Sequence, residues 1–187
     1  MEAFAEKGVI NTEKTMEIAL AEAKRLNAPL LVATTEGDAG VAAWRMAKEQ
    51  GMESQLLLVS HAYGTRTPGT NAMTDENRKI LEDNGVKIIT AAHVLSGAER
   101  SFSSRMKGVY PVELIAHTLR MFSQGVKVAV EIGAMALDTG AIPYGVPVVA
   151  VGGTGRGADT VTVLTPAYTQ DILGTKIHEI LCKPYVG

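Results

Sequence analysis

The strongest chemical signal in this sequence is the run Gly152-Gly153-Thr154-Gly155-Arg156-Gly157-Ala158-Asp159-Thr160. Its glycines let the backbone approach a ligand closely, successive N–H groups can form an anion-holding concavity, and Arg156 adds a forked cationic donor. The spacing lacks the Gly-Lys-Ser/Thr of a Walker loop. Strand-like Thr160-Val161-Thr162-Val163 follows, so the run does not open a helix as a dinucleotide fingerprint does. A plain hairpin loop is the competing reading. A second set is Thr34-Thr35-Glu36-Gly37-Asp38, where two carboxylates straddle a glycine. Such a pair can hold a cation, accept hydrogen bonds from ligand hydroxyls or, through Asp38, cap the next helix. His61, Tyr63 and Gly64 form a third set, with His93 in a comparable position, and Gly133 with Met135 a fourth. Arg100 and Ser101, with Ser103, Ser104 and Arg105, are either phosphate donors or a solvated loop. No Gly-x-Ser-x-Gly elbow presents a nucleophile, which argues against hydrolysis by a serine triad.

Apolar patterning supplies the elements that must hold these residues. Short apolar runs predict strands at 30–33, 55–59, 86–90, 127–132, 146–151 and 160–164. Helical spacing predicts helices opening at Asn11 or Thr12, over 41–50, from Thr74 to about Asn84, from Pro111 to Gly125, a short one over 134–137, and a last one over 169–181. Residues 61–72 and 96–107 read as loops, and His117 and His178 as solvent-facing helical residues. Cys182 reads as a small buried hydrophobe in the last helix. Strands alternating with helices imply a single three-layer α/β/α domain over 1–187, with a mostly parallel sheet of about five to six strands. The short connection before 160–164 makes that last strand an antiparallel edge. Ligands of such sheets bind beyond the carboxyl ends of the strands, and every candidate set above follows a predicted strand.

Bulk composition excludes several classes. With 18 Lys and Arg against 20 Asp and Glu, no global field draws the chain to nucleic acid or to an anionic membrane. A lone cysteine excludes an internal disulfide and fits a reducing compartment. Residues 1–7 show no basic-then-apolar leader, and the apolar stretch 141–155 is broken by Pro143, Gly145 and Pro147, so a cytoplasmic location is expected.

Asn11-Thr12-Glu13-Lys14-Thr15, the strand at 30–33 running into Thr34-Thr35-Glu36-Gly37, and the glycine run before the last strand together resemble the C-terminal domain of pyruvate kinase. They are closer still to small free-standing prokaryotic proteins of that fold, some of which carry flavin mononucleotide (FMN). In the kinase domain the two loops form an allosteric sugar-bisphosphate site in many members. The resemblance implies the same fold, a phosphorylated small-molecule ligand and a homo-oligomer. It does not imply kinase activity, because a (β/α)₈ barrel of about 250 residues cannot fit in this chain. The stretches 64–72 and 96–110 depart from the kinase domain. So does the first loop, with Glu36 where the pattern has Ser and Ala39 where it has Ser or Thr. A carboxylate 4 Å from a phosphate charge repels it by about 4 kcal/mol at an effective dielectric near 20. The expectation is therefore that Glu36 and Asp38 meet ribityl or sugar hydroxyls, that the phosphate lies by Arg156 or the Ser/Arg segment, and that a flavin ring rests against His61, Tyr63 or Met135. An enzyme acting on a phosphorylated metabolite, a flavin-dependent oxidoreductase and an oligomer-forming module without a ligand are the alternatives.

Overall fold

Strands whose every residue is apolar must be covered on both faces, and the computed structural model, which describes residues 1–185, shows how that is done. The strands are β1 (Glu2–Phe4), β2 (Leu30–Thr34), β3 (Leu56–Ser60), β4 (Lys87–Thr90), β5 (Val148–Gly152), β6 (Thr160–Thr165) and β7 (Lys176–Pro184). They form one sheet in the order β1-β7-β6-β5-β2-β3-β4. Alternate residues of the central strands feed two cores. Leu30, Val32, Leu56, Leu58, Val149 and Val151 pack with helices α1 (Thr12–Leu26), α2 (Asp38–Glu49) and α3 (Asp75–Asp83). Leu31, Leu57, Val59, Val148 and Ala150 pack with α5 (Pro111–Arg120) and α6 (Gln124–Asp138). The three-layer α/β/α class expected from the sequence is the class observed.

Only β6 runs against the rest, antiparallel to both β5 and β7, while β1 runs parallel to β7. The expected antiparallel direction of 160–164 holds, and two further strands lie outside it. Neither was expected. β1 is three residues long, anchored by buried Phe4, and is in register with the end of β7. β7 replaces the helix expected over 169–181: a short 3₁₀ turn at Thr169–Gly174 is followed by a strand that pairs on both sides. Its inner half carries Cys182, fully buried in strand rather than helix, and burial pushes that thiol up to about 12. His178 accordingly sits on β7, exposed, and not on a helix.

The largest correction concerns 127–132, expected as a strand and found in the middle of α6. The run alternates Val126, Val128, Val130 and Ile132 with other residues, which mimics a strand period. Two things decide for helix. The Ser123 side chain accepts the Val126 N–H and caps the first turn, and small Gly125, Ala129, Gly133 and Ala136 let one helix lie flat on the sheet. A Cβ on Gly125 would fall 2.1 Å from Thr160 Oγ1, so the bare α6 backbone packs directly on the Thr160 side chain of β6. The short helix expected over 134–137 is the end of this same element, and α5 stops at Arg120 rather than at Gly125. Within the loop expected at 96–107 lies α4 (Glu99–Met106), and Glu99 accepts the Val112 and Glu113 N–H groups that open α5.

Candidate functional site

The carboxyl ends of β2, β3, β4 and β5 open onto one cavity of about 270 Å³. Its floor is apolar, from Ala33, Val59, Val128, Ile132 and Met135, and its rim is polar. Of the residues expected at a site, Thr34, Thr35, Glu36, Asp38, His61, Met135, Gly153, Gly155, Arg156 and Gly157 line it.

At the mouth, opposite charges cancel. Arg156 reaches Asp38 at 2.8 Å and Glu36 at 3.2 Å, while Arg66 donates to Glu36 at 2.6 Å. Arg156 and then Asn77 donate to Asp38 and hold its carboxyl below the usual carboxylate range. Asp38 stands at the first helical position of α2 without capping it, so the capping role considered for it is not what it does. Thr34 Oγ1 instead accepts the Gly40 N–H and ties β2 to α2. Gly37 turns the chain at φ +106° beneath Asn77, whose Nδ2 donates to the Glu36 carbonyl and to Asp38 Oδ1.

The glycine run is anchored from the other end of the chain. Asp159, fully buried, accepts the N–H groups of Gly8 and Thr154 and the Thr160 hydroxyl. Thr12 Oγ1 accepts the Ala158 N–H, so the start of α1 holds the loop in place. Thr154 joins this scaffold through its N–H and does not line the cavity.

At the inner end the side chains are titratable. Thr35 Oγ1 and His61 Nε2 are 3.1 Å apart, and the His61 and His93 rings meet edge to face with centroids 4.6 Å apart. Behind His93, Glu131 Oε2 lies 3.9 Å from Nδ1 and 2.5 Å from Lys127 Nζ, while its Oε1 accepts the Leu95 N–H at 3.0 Å. Burial pushes the His61, His93 and Lys127 pKa values down. Glu131 opposes the shift at all three, and the His93 charge adds to it at His61.

Several expected residues lie elsewhere. Tyr63 is 62% exposed and Gly64 borders open space. Arg100 and Ser101 are exposed on α4, and the Ser101 hydroxyl donates to the Ala98 carbonyl. Gly133 packs against Leu164 and Pro166 of the sheet side. Arg66, Gln124, Val128, Glu131 and Ile132 line the cavity without having been expected there. For Glu131 a signal existed: Lys127 and Glu131 are opposite charges four apart inside an apolar run, which is helix spacing. A second cavity, of about 390 Å³, shares His93 and Met135 with the first and continues toward Asp138 and Thr169. Among the described residues no cluster of three or more His, Cys, Asp or Glu is arranged to hold a metal ion, and no helix is long and apolar enough to cross a membrane.

A mixed sheet wrapped by helices on both faces, with a crevice at the carboxyl ends of its parallel strands, defines a three-layer α/β protein. Comparison with known families sharpens this. The pyruvate kinase alpha/beta domain matches residues 13–164, most of the chain, and the chain belongs to that family. The outer strands β1 and β7 lie beyond the matched stretch.

Proposed function

We propose that this chain binds a small molecule carrying hydroxyl groups and a phosphate in the cavity at the carboxyl ends of β2 to β5, and that FMN is such a ligand. The observation that carries the reading is the composition of that cavity: an apolar floor, a carboxylate pair and an arginine-bearing glycine loop, with the α2 N-terminus at its rim. A helix N-terminus and forked guanidinium favour a phosphate. Glu36 and Asp38 suit hydroxyl donors. Because exposed ion pairs contribute little and exchange readily, the Arg156 guanidinium can leave Glu36 and Asp38 and hold the phosphate clear of both carboxylates.

FMN fits these residues. Ala33, Val59, Val128, Ile132 and Met135 offer its ring an apolar bed, Glu36 and Asp38 its ribityl hydroxyls, and Arg156 with Gly155 and Gly157 its phosphate. Tyr63 is too far out to stack on the ring, which leaves His61 as the ring-edge partner. Bound flavin would supply redox chemistry.

The test is direct titration of the purified protein with FMN and with riboflavin, read by flavin fluorescence and calorimetry. FMN is expected to bind at least tenfold more tightly than riboflavin, since a charged hydrogen bond is lost with the phosphate. Equal affinity removes the phosphate from the reading, and affinity for neither removes the flavin.

A further inference from the structure

The inner end of the cavity holds more charge than binding needs. Lys127 and Glu131 are 5% and 4% exposed on the face of α6 that packs against the sheet. Burying such a pair costs more in lost hydration than its attraction returns, and apolar residues of similar volume would serve the fold as well or better. The pair does not end in the core. It continues through Glu131 to His93, from the loop after β4, to His61, from the loop after β3, and to Thr35, from the loop after β2. His93, His61, Thr35 and Glu131 all line the cavity.

We propose that this inner end is a general acid–base centre, in which His93 and His61 exchange protons with a phosphorylated hydroxy-aldehyde or hydroxy-ketone, while Glu131 and Lys127 act as positioning residues. The inference rests on the ligand reading above. A hydroxylated chain ending in phosphate is common to FMN and to open-chain sugar phosphates, so the same rim serves either, and the histidine pair gives the second a place to react.

The chemistry follows from the groups present. Two imidazoles and a hydroxyl are proton donors and acceptors. The ordinary nucleophile, Cys182, is buried in β7 with its thiol held protonated, and Lys127 is engaged by Glu131. Desolvation lowers the pKa of both imidazoles and so favours their neutral forms. His61 faces His93, Glu131, Arg66 and Lys127, and His93 faces Glu131, Lys127 and Arg100. Of the charges around His93, Glu131 is the one that favours its protonated form, which makes His93 the base. Its Nδ1 faces Glu131 and leaves Nε2 for the ligand. The 3.9 Å gap is longer than a hydrogen bond, as catalytic contacts often are before a ligand closes the site. Nε2 takes the proton from the carbon beside the carbonyl, the C–H electron pair becomes the C=C bond of an enediol, and the carbonyl oxygen takes a proton from His61 by way of the Thr35 hydroxyl, which lies 3.1 Å from His61 Nε2 and lines the cavity. Return of the His93 proton to the same carbon regenerates the substrate and return to its neighbour gives the isomer, and in either case the enediol hydroxyl that becomes the carbonyl gives its proton back to His61. Proton count and oxidation level balance without a co-reactant.

The experiment incubates the protein in deuterium oxide with dihydroxyacetone phosphate, glycolaldehyde phosphate, ribulose phosphate or FMN. Binding is read by calorimetry, and exchange at the carbon beside the carbonyl by proton NMR. At least one of the three carbonyl probes is expected to bind and to exchange a hundredfold or more above the blank. His93→Gln and His61→Gln should each lower the exchange rate about a hundredfold while changing affinity only a few-fold. Glu131→Gln should move the acidic limb of the rate profile to lower pH, because the anion that raises the His93 pKa is gone. A purely structural Glu131 would leave that limb in place. If the single variant fails to fold, Lys127→Met/Glu131→Gln carries the same readout. Binding of a carbonyl probe without exchange overturns the acid–base centre and leaves the ligand reading standing, as does exchange that survives both histidine variants. Binding of FMN alone assigns the cavity to flavin and overturns the sugar-phosphate substrate. Binding of none overturns both readings.

Discussion

Replacing Glu131 by Gln separates charge from shape in the core. The amide keeps an oxygen for the Leu95 N–H, which Glu131 Oε1 accepts at 3.0 Å, and keeps the side-chain volume. What is lost is the partner 2.5 Å from Lys127 Nζ. An ammonium left unpaired at 5% exposure is expected to destabilise the fold by about 3–5 kcal/mol. Lys127→Met/Glu131→Gln removes both charges and should recover most of that loss, to within about 1 kcal/mol of the parent. Equilibrium unfolding in urea gives all four corners of the cycle, and a coupling of about 2 kcal/mol or more is expected. The pH dependence supplies a second check. Desolvation already lowers the Lys127 pKa in the folded state against the opposing pull of Glu131, and without Glu131 it falls further. A lysine whose folded pKa lies below its unfolded value binds fewer protons when folded, so stability rises with pH between the two values. The gap between the parent and Glu131→Gln should therefore shrink as pH is raised from about 7 toward the unfolded lysine value near 10.4. Single variants whose effects simply add, with the double variant as unstable as their sum, would refute the account of the pair.

Gly125→Ala drives a methyl to 2.1 Å from Thr160 Oγ1 and should lower stability by about 1–3 kcal/mol in the same unfolding assay. A neutral result would mean that α6 slides on the sheet freely. Arg156→Ala should weaken FMN about tenfold or more and riboflavin hardly at all, since only the phosphate meets the guanidinium. Equal loss for both ligands would assign Arg156 to the hydroxyls or to loop structure. Both His61 and His93 should titrate below the ordinary histidine value of about 6.5 when followed by NMR of the ring carbons. Because the unfolded chain then binds more protons, stability should fall as pH drops through that value, and His61→Gln should flatten the slope.

The fold was legible where pattern and burial agree. Residues 30–33 and 56–59 are apolar throughout and flanked by turn residues, and α1 begins beside the predicted Asn11. It was illegible where a neighbour decides. The Val-rich start of α6 has the composition of a strand, yet it is helical because the sheet offers Gly125 a backbone-to-backbone seat. Residues 176–181 read as the end of a helix, yet 176–184 form a strand because β6 and β1 supply hydrogen-bond partners on its two sides. The same misassignment hid part of the site. Once 127–132 is read as a strand, Lys127 and Glu131 fall on one face by alternation, and no reason appears for Glu131 to meet His93.

The glycine run changes meaning most. Four glycines around an arginine suggest a loop opened for a ligand, but their neighbours divide them. A Cβ on Gly152 would lie 2.3 Å from the Gly125 carbonyl oxygen, and one on Gly153 would lie 2.4 Å from that of Gly157. Gly157, at φ +75°, also packs on Val9 and Thr12. These three are required by packing whatever the cavity binds. Gly155, at φ +77° with nothing within 4 Å, is free of that demand, and it stands next to Arg156. Arg156 is therefore where ligand chemistry can be set independently of the fold, Gly155 being held to glycine by its own φ, while Asp159, tying Gly8 and Thr154 to one carboxylate, keeps that pair at the rim.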